Sequence, residues 1–214
     1  ERVVVTGRGV SLSSDVIAAC CEEGIPIHFL DSRGSPYAAL YSPGLTGTVQ
    51  SRRGQLAAYL DERGAHVART LAAAKVANQA ALLRYLAKYR KEADPAAYLE
   101  LSSGAEAVLR HRDEVLGLEG KAVDDIRELV LSAEGRAARY YWEALRAVVP
   151  EEYGWPGRIG RDAADPMNAS LNYGYGILYA TVERAIVLAG LDPYAGYVHA
   201  DRPGKPSLVY DLIE

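Results

Sequence analysis

Four residues have the types and spacing to do chemistry together. Glu134 opens the segment EGRAARYYWEAL, His199 closes LDPYAGYVHA, and SLVYDLIE sets Asp211 and Glu214 three residues apart. In a helix, residues three apart share a face, and Ser207 after Pro206 is a reasonable helix start. Two carboxylates and an imidazole, with a further acid nearby, suit one hard-to-borderline divalent cation. Oxygen ligands fit Mg²⁺ or Mn²⁺, and a neutral histidine nitrogen favours Mn²⁺. Spacing alone leaves other readings open. Glu134 also suits the first turn of a helix, where the dipole favours an acid. His199 equally reads as a hydrogen-bonded buried histidine, and Asp211 with Glu214 as a solvated helix face.

Other chemistries lack their motifs. The chain has no Walker loop, GxGxxG or CxxC, and Ser11, Ser13 and Ser14 sit outside any GxSxG setting. His28, His66 and His111 lie in unrelated contexts. Gly174 and Gly176 in NYGYGILY fall within a helical pattern, where they serve close packing better than phosphate binding. Arg202 and Lys205 in ADRPGKP lie on a turn between His199 and Asp211 and could hold a phosphate.

The elements that position these residues fall into two textures. Residues 1–46 read as a small β-rich unit. Arg2–Thr6 and Ile25–Leu30 are strands, with a helix over Ser11–Cys21 capped by Ser13 or Ser14; Pro36–Tyr41 is a candidate third strand, followed by the loop Ser42–Gly47. A linker is expected at 47–54. From 55 to 214 the pattern is helical: Leu56, Leu60, Val67, Leu71, Ala74, Asn78 and Leu82 recur at helical steps. A helix over 51–91 would be ~60 Å long, so a break near Gly64 is expected. Ala96–Leu116, Ala122–Val149 and Asn168–Ala189 are further helices, the last so apolar that it reads as the central core helix. The fold class expected is α+β.

Composition narrows the classes. The 214 residues are 49% hydrophobic and 24% charged, which excludes a disordered or collagen-like chain. The last apolar segment is interrupted by Asn172, Glu183 and Arg184, so no membrane span is expected. Cys20 and Cys21 are adjacent, poor geometry for a mutual bridge, which points to a reducing cytoplasm. The net charge of −4 conceals a basic middle: residues 51–95 carry 9 basic against 4 acidic groups. Arg52, Arg53, Lys75, Arg84, Lys88, Arg90 and Lys91 there make a candidate surface for DNA phosphates, and equally an exposed face kept soluble by charge.

Several stretches together resemble one family. They are GVSLSSDVIAACCEEGIPIHFLDSRG, AKVANQAALL, AEGRAARYYW, DPMNASLNYGYGILY and LAGLDPYAGYVHADRPGKPSLVYDLIE, covering most of the chain. The chain is identified as a member of the CRISPR-associated Cas-one endonuclease/integrase family, the spacer-acquisition integrases. The resemblance implies an amino-terminal β-rich domain joined to an α-helical catalytic domain. It implies a metal-dependent homodimer that assembles with a small second subunit, Cas-two, and inserts DNA fragments into CRISPR arrays. By motif, the family's metal ligands fall on Glu134, His199 and Glu214, with a neighbouring functional acid on Asp211. Tyr210, Asn168 and Lys205 match residues near the family's site. Strands expected before Glu1 and a basic helix expected after Glu214 are absent, so the sequence reads as a piece of a longer chain. A non-integrating metallonuclease and a non-catalytic DNA scaffold are the competing functions. The first lacks a joined product that depends on a 3′-hydroxyl, and the second survives Glu134→Ala.

Overall fold

A computed structural model of the chain describes residues 2–32, 36–42, 49–160 and 163–213. The loop expected at Ser42–Gly47 lies almost wholly outside them, and Glu214 lies outside them.

The amino-terminal unit is a three-stranded sheet. Strand β1 (Val3–Thr6) pairs parallel with β2 (Ile27–Leu30), which pairs antiparallel with β3 (Pro36–Leu40). Parallel neighbours need a crossover, and helix α1 (Ser14–Glu22) supplies it. Of the two cap candidates, Ser13 is the N-cap: its hydroxyl accepts from the Val16 N–H at 3.3 Å. The central strand is the buried one, with Ile27, His28 and Leu30 at 0–1% exposure.

Helix α2 (Val49–Ala58) runs through the stretch expected as a linker, and α3 follows over Glu62–Lys88. The break expected near Gly64 is there, at residues 59–61. Asp61 stops the first helix and caps the second, accepting from the Arg63 N–H. Gly64 sits in the first turn of α3, where a Cβ would come within 2.3 Å of the Ala58 carbonyl oxygen. It permits a tight approach of two helices rather than a bend.

Helices α4 (Pro95–Leu116) and α5 (Val123–Leu145) pack on α3 as an antiparallel bundle. Alanine at 65, 68, 72, 73, 80 and 87 lines the buried face of α3, and small side chains bring helix axes close. Gly104 does the same between α4 and α5, where a Cβ would meet that of Ala144.

Helix α6 (Pro166–Leu188) is not the central core helix its hydropathy suggests. Only Asn168, Gly176, Ala180 and Ile186 are buried, while Tyr173, Ile177, Leu178 and Leu188 are exposed. The small-residue faces of α3, α4 and α5 interlock with one another, so α3 takes the centre and α6 lies outside against β3 and α7. Gly176 is buried, but a Cβ on Gly174 would meet nothing within 4 Å, so Gly174 serves no close packing. The last helix, α7 (Ser207–Leu212), begins where Pro206–Ser207 predicts. Cys20 and Cys21 are free thiols. Among the described residues no helix is long and apolar enough to cross a membrane.

The sheet is tied to the helical part through α6. The His28 ring lies 3.9 Å from the Glu183 carboxylate and edge-on to Tyr41, and Arg2 donates to the Thr181 hydroxyl.

Candidate metal centre

The geometry is built around one buried carboxylate. Asp211, on α7, accepts four hydrogen bonds. Its Oδ2 takes the backbone N–H groups of Tyr197 at 2.6 Å and Val198 at 3.0 Å. Its Oδ1 takes the His199 backbone N–H at 2.9 Å and the His199 ring Nδ1 at 2.8 Å. Burial by itself would push the Asp211 carboxyl up. The bonds from the His199 ring and from the amides of Val198, Tyr197 and His199 outweigh it and hold the group below the usual carboxylate range.

The loop that supplies these donors is fixed from both ends. Gln55 of α2 donates to the carbonyls of Asp192 and Ala195, accepts from the Asp192 N–H, and takes the Tyr197 hydroxyl on its backbone carbonyl. Ser207 accepts from the Gly196 N–H at 3.0 Å and donates to the Tyr194 carbonyl. Residue 196 has to be glycine, because a Cβ there would lie 2.7 Å from Asp211 Oδ2.

In the His199 tautomer whose Nδ1–H donates to the Asp211 carboxylate, Nε2 is left as a lone-pair donor. That is the arrangement in which a histidine binds a metal while a carboxylate behind it fixes the tautomer. The His199 side chain is 23% exposed and that of Asp211 is 0% exposed, so the ring can meet a ligand and the acid cannot. Asp211 is therefore no solvated helix face.

Glu134 lies in the middle of α5, not in its first turn, and is 8% exposed. Lys75 of α3 approaches it at 3.8 Å. The pair stands at the seam between two hydrophobic clusters: Ala133 belongs to one and Ala137 to the other. Val198 belongs to the same cluster as Ala133. The residues preceding Glu134 and His199 thus contribute to the same hydrophobic core. Glu214 lies outside the described residues. Among those residues no three His, Cys, Asp or Glu side chains gather as a metal-binding group.

The cations expected to bind DNA separate into groups. Lys205 sits over the Tyr210 ring at 5.2 Å, and that ring is 5.9 Å from His199, so Lys205 and Tyr210 belong to this region. Arg202 is exposed on the neighbouring turn. Arg84 and Lys88 lie toward the far end of α3, roughly 14–20 Å along the helix from Lys75 at 1.5 Å per residue, and Lys91 follows just past its end. Arg52 and Arg53 are on α2, away from that stripe.

Two clefts open beside the centre. One, of about 320 Å³, is lined by Trp142, Arg158, Tyr175, Tyr210 and Ile213, with Pro36 of β3 at its edge. The other, of about 270 Å³, shares Trp142, Tyr175 and Ile213 and is lined by Lys75, Asn78 and Gln79. A larger open groove of about 1280 Å³ between the start of α3 and residues 116–125 contains none of the site residues. Asn168 is fully buried. It anchors the preceding loop to α6, donating to the Gly157 carbonyl and accepting from the Ile159 N–H. Sequence reasoning singles out neither Gln55 and Arg158, which belong to no quoted motif, nor Trp142 and Tyr175, which lie inside EGRAARYYWEAL and NYGYGILY but are given no role.

The described residues form a sheet-plus-bundle α+β fold that carries a carboxylate-backed histidine on a loop and a buried glutamate on α5. The whole chain, residues 1–214, matches the family described as CRISPR associated protein Cas1, and it belongs to that family. It is 41% identical over 220 residues to the CRISPR-associated endonuclease Cas1 1 of Archaeoglobus fulgidus, covering 100% of this chain and 63% of that protein. The chain thus spans under two thirds of that relative's length. Among solved structures it resembles a casposase bound to an integration product, with a TM-score of 0.77 and 24% identity over 100% of this chain and 56% of the other. It also resembles a chain of a Cas6-RT-Cas1–Cas2 complex, with a TM-score of 0.75 and 22% identity over 98% and 22% of the two chains.

Proposed function

We propose that this chain carries the catalytic centre of a DNA integrase of CRISPR adaptation. In the reaction, the 3′-hydroxyl of a foreign DNA fragment attacks a phosphodiester at a CRISPR repeat boundary and the repeat strand's 3′-oxygen departs. The observation that carries the reading is the bond from His199 Nδ1 to Asp211 at 2.8 Å, which leaves Nε2 free to ligate. Family membership over the whole chain supports it.

The donor set fits a divalent ion. Glu134 and His199 supply one carboxylate and one imidazole nitrogen, Glu214 supplies the second carboxylate, and Mg²⁺ or Mn²⁺ suits that mixture. When bound, such an ion acidifies the attacking hydroxyl and offsets the charge that builds on the phosphate and the leaving oxygen. Asp211 is a positioning residue: both its oxygens are taken by protein donors, and it holds the His199 ring in one tautomer. Lys205, steadied over Tyr210, contributes a cation for the target phosphate. DNA, a second copy of the chain and a small Cas2-type subunit are the partners this function requires, and its setting is the cytoplasm.

Strand transfer tests the reading. Labelled fragment DNA ending in a 3′-hydroxyl is expected to join a repeat-bearing target in Mn²⁺ or Mg²⁺, and the same fragment ending in a 3′-deoxy sugar is not. Cleavage of DNA with no joined product would replace the integrase by a hydrolytic metallonuclease, which uses the same residues with water as nucleophile.

A further inference from the structure

Arg158, half-buried, is held by two aromatic rings and three side-chain or backbone oxygens. Its guanidinium lies 5.3 Å from the Tyr175 ring centre and 6.0 Å from that of Trp142, two aromatic faces that line the larger site cleft with it. Nη1 donates to Asn172 Oδ1 at 2.8 Å and to the Ile159 carbonyl at 2.6 Å, with a longer contact to Asn168 Oδ1 at 3.4 Å. Asn168 is itself locked by the Asp165 carboxylate, which accepts from both its backbone and its side chain. Every one of these acceptors on Arg158 is an uncharged oxygen or a π face, and among the described residues Arg158 makes no ion pair. The guanidinium is therefore fixed without a carboxylate among the described residues to offset it. It stands in a cleft whose walls include Tyr210, the ring beside His199.

We infer that Arg158 is a phosphate-binding residue of this site, receiving a phosphodiester of the DNA strand that enters the cleft between Trp142, Tyr175 and Tyr210. The inference rests on the DNA-processing reading above and adds to it a residue and a place. A guanidinium suits the role because Nε and Nη2 remain available as a fork for two phosphate oxygens, and stacking fixes its plane before the ligand arrives. Neutral acceptors position it without competing for its charge.

Equilibrium binding of a labelled DNA duplex with single-stranded 3′ ends tests this, measured over a range of NaCl concentrations in EDTA with the intact protein. Arg158→Gln is expected to weaken binding about tenfold. It should also make the slope of log K against log salt shallower by about 0.7–0.9, the signature of one lost phosphate. Asn172→Asp separates ligand binding from a purely structural role. A carboxylate at that position would pair with Nη1, keep the loop anchored and cancel the charge, so it should lower the slope as Arg158→Gln does. Arg112→Gln, which removes a charge paired with Asp113 on α4, should leave the slope unchanged. An unchanged slope in Arg158→Gln and Asn172→Asp would overturn the assignment and leave Arg158 a structural staple. EDTA suppresses joining, so this binding is read apart from the chemistry; wild-type protein that binds DNA here but joins nothing in the Mn²⁺ or Mg²⁺ strand-transfer assay counts against the integrase reading alone.

Discussion

Asp211 receives His199 twice on one oxygen, through the backbone N–H at 2.9 Å and the ring Nδ1 at 2.8 Å. A single carboxylate thus fixes both where the histidine begins and which way its ring faces. Its other oxygen takes the two preceding amides, so three consecutive backbone N–H groups converge on one side chain.

Asp211→Asn keeps the shape and removes half the acceptors. The amide NH₂ must then face either the Tyr197 and Val198 amides or the two His199 donors. Leaving buried donors unsatisfied costs about 2–3 kcal/mol. Urea unfolding should show that loss, and Mn²⁺ affinity should fall about 10–100-fold as the ring loses its orienting partner. A variant with wild-type stability and wild-type Mn²⁺ affinity would refute the positioning role.

Gly196→Ala attacks the same cradle from the other side. The added methyl would lie 2.7 Å from Asp211 Oδ2 and equally close to the Ser207 backbone, and backbone cannot move aside cheaply. The expected cost is about 1–3 kcal/mol, read as a lowered urea midpoint with an unchanged m value. Gly174→Ala, in open space on α6, should be neutral or slightly stabilising.

Lys75 and Glu134 form a largely buried pair at 3.8 Å. In Lys75→Gln the carboxylate loses this cation, so the metal-free protein is destabilised by about 1–3 kcal/mol. A divalent ion would replace the missing charge. Mn²⁺ should therefore raise the melting temperature of Lys75→Gln more than that of the wild type. An equal rise in both would separate Lys75 from the metal centre.

His28 gives the fold a pH dependence. Burial, then Arg2 and Arg184, hold its ring below the usual 6.5, with Glu183 and Tyr41 also facing it. The unfolded chain takes up a proton near 6.5 and the folded chain resists it. The stability is therefore fully present above that value and lost as pH falls through the folded value. Glu183, pushed up from 4.5 by burial, acts oppositely, losing its contribution as pH rises from 4.5 through its folded value. Between pH 7.5 and 5.5 the melting temperature of His28→Gln should fall less than that of the wild type, by about 2 °C or more. Parallel declines would show that His28 does not titrate on unfolding.

Local pattern was legible in the sequence where one element decides its own form. The strands at Val3–Thr6 and Ile27–Leu30, the Ser13 cap and the start of α7 at Ser207 all follow from residue type and spacing. Pairwise packing was not. Hydropathy placed α6 at the centre because it counts apolar residues and not whose surface they meet; the alanine stripe of α3 decides that. Asp211 reads as a solvated acid in YDLIE because its donors lie twelve to fourteen residues upstream. Arg158 is a lone arginine between Gly157 and Ile159, and only the fold brings Trp142 and Tyr175 to its sides.

The most direct test of the account compares wild-type protein with His199→Ala in metal-dependent strand transfer. The fragment carries a free 3′-hydroxyl, the target carries a repeat, and DNA binding is measured on the same samples. The account predicts a joined product with the wild type that His199→Ala fails to form while still binding DNA. Joining by His199→Ala at the wild-type rate would contradict it.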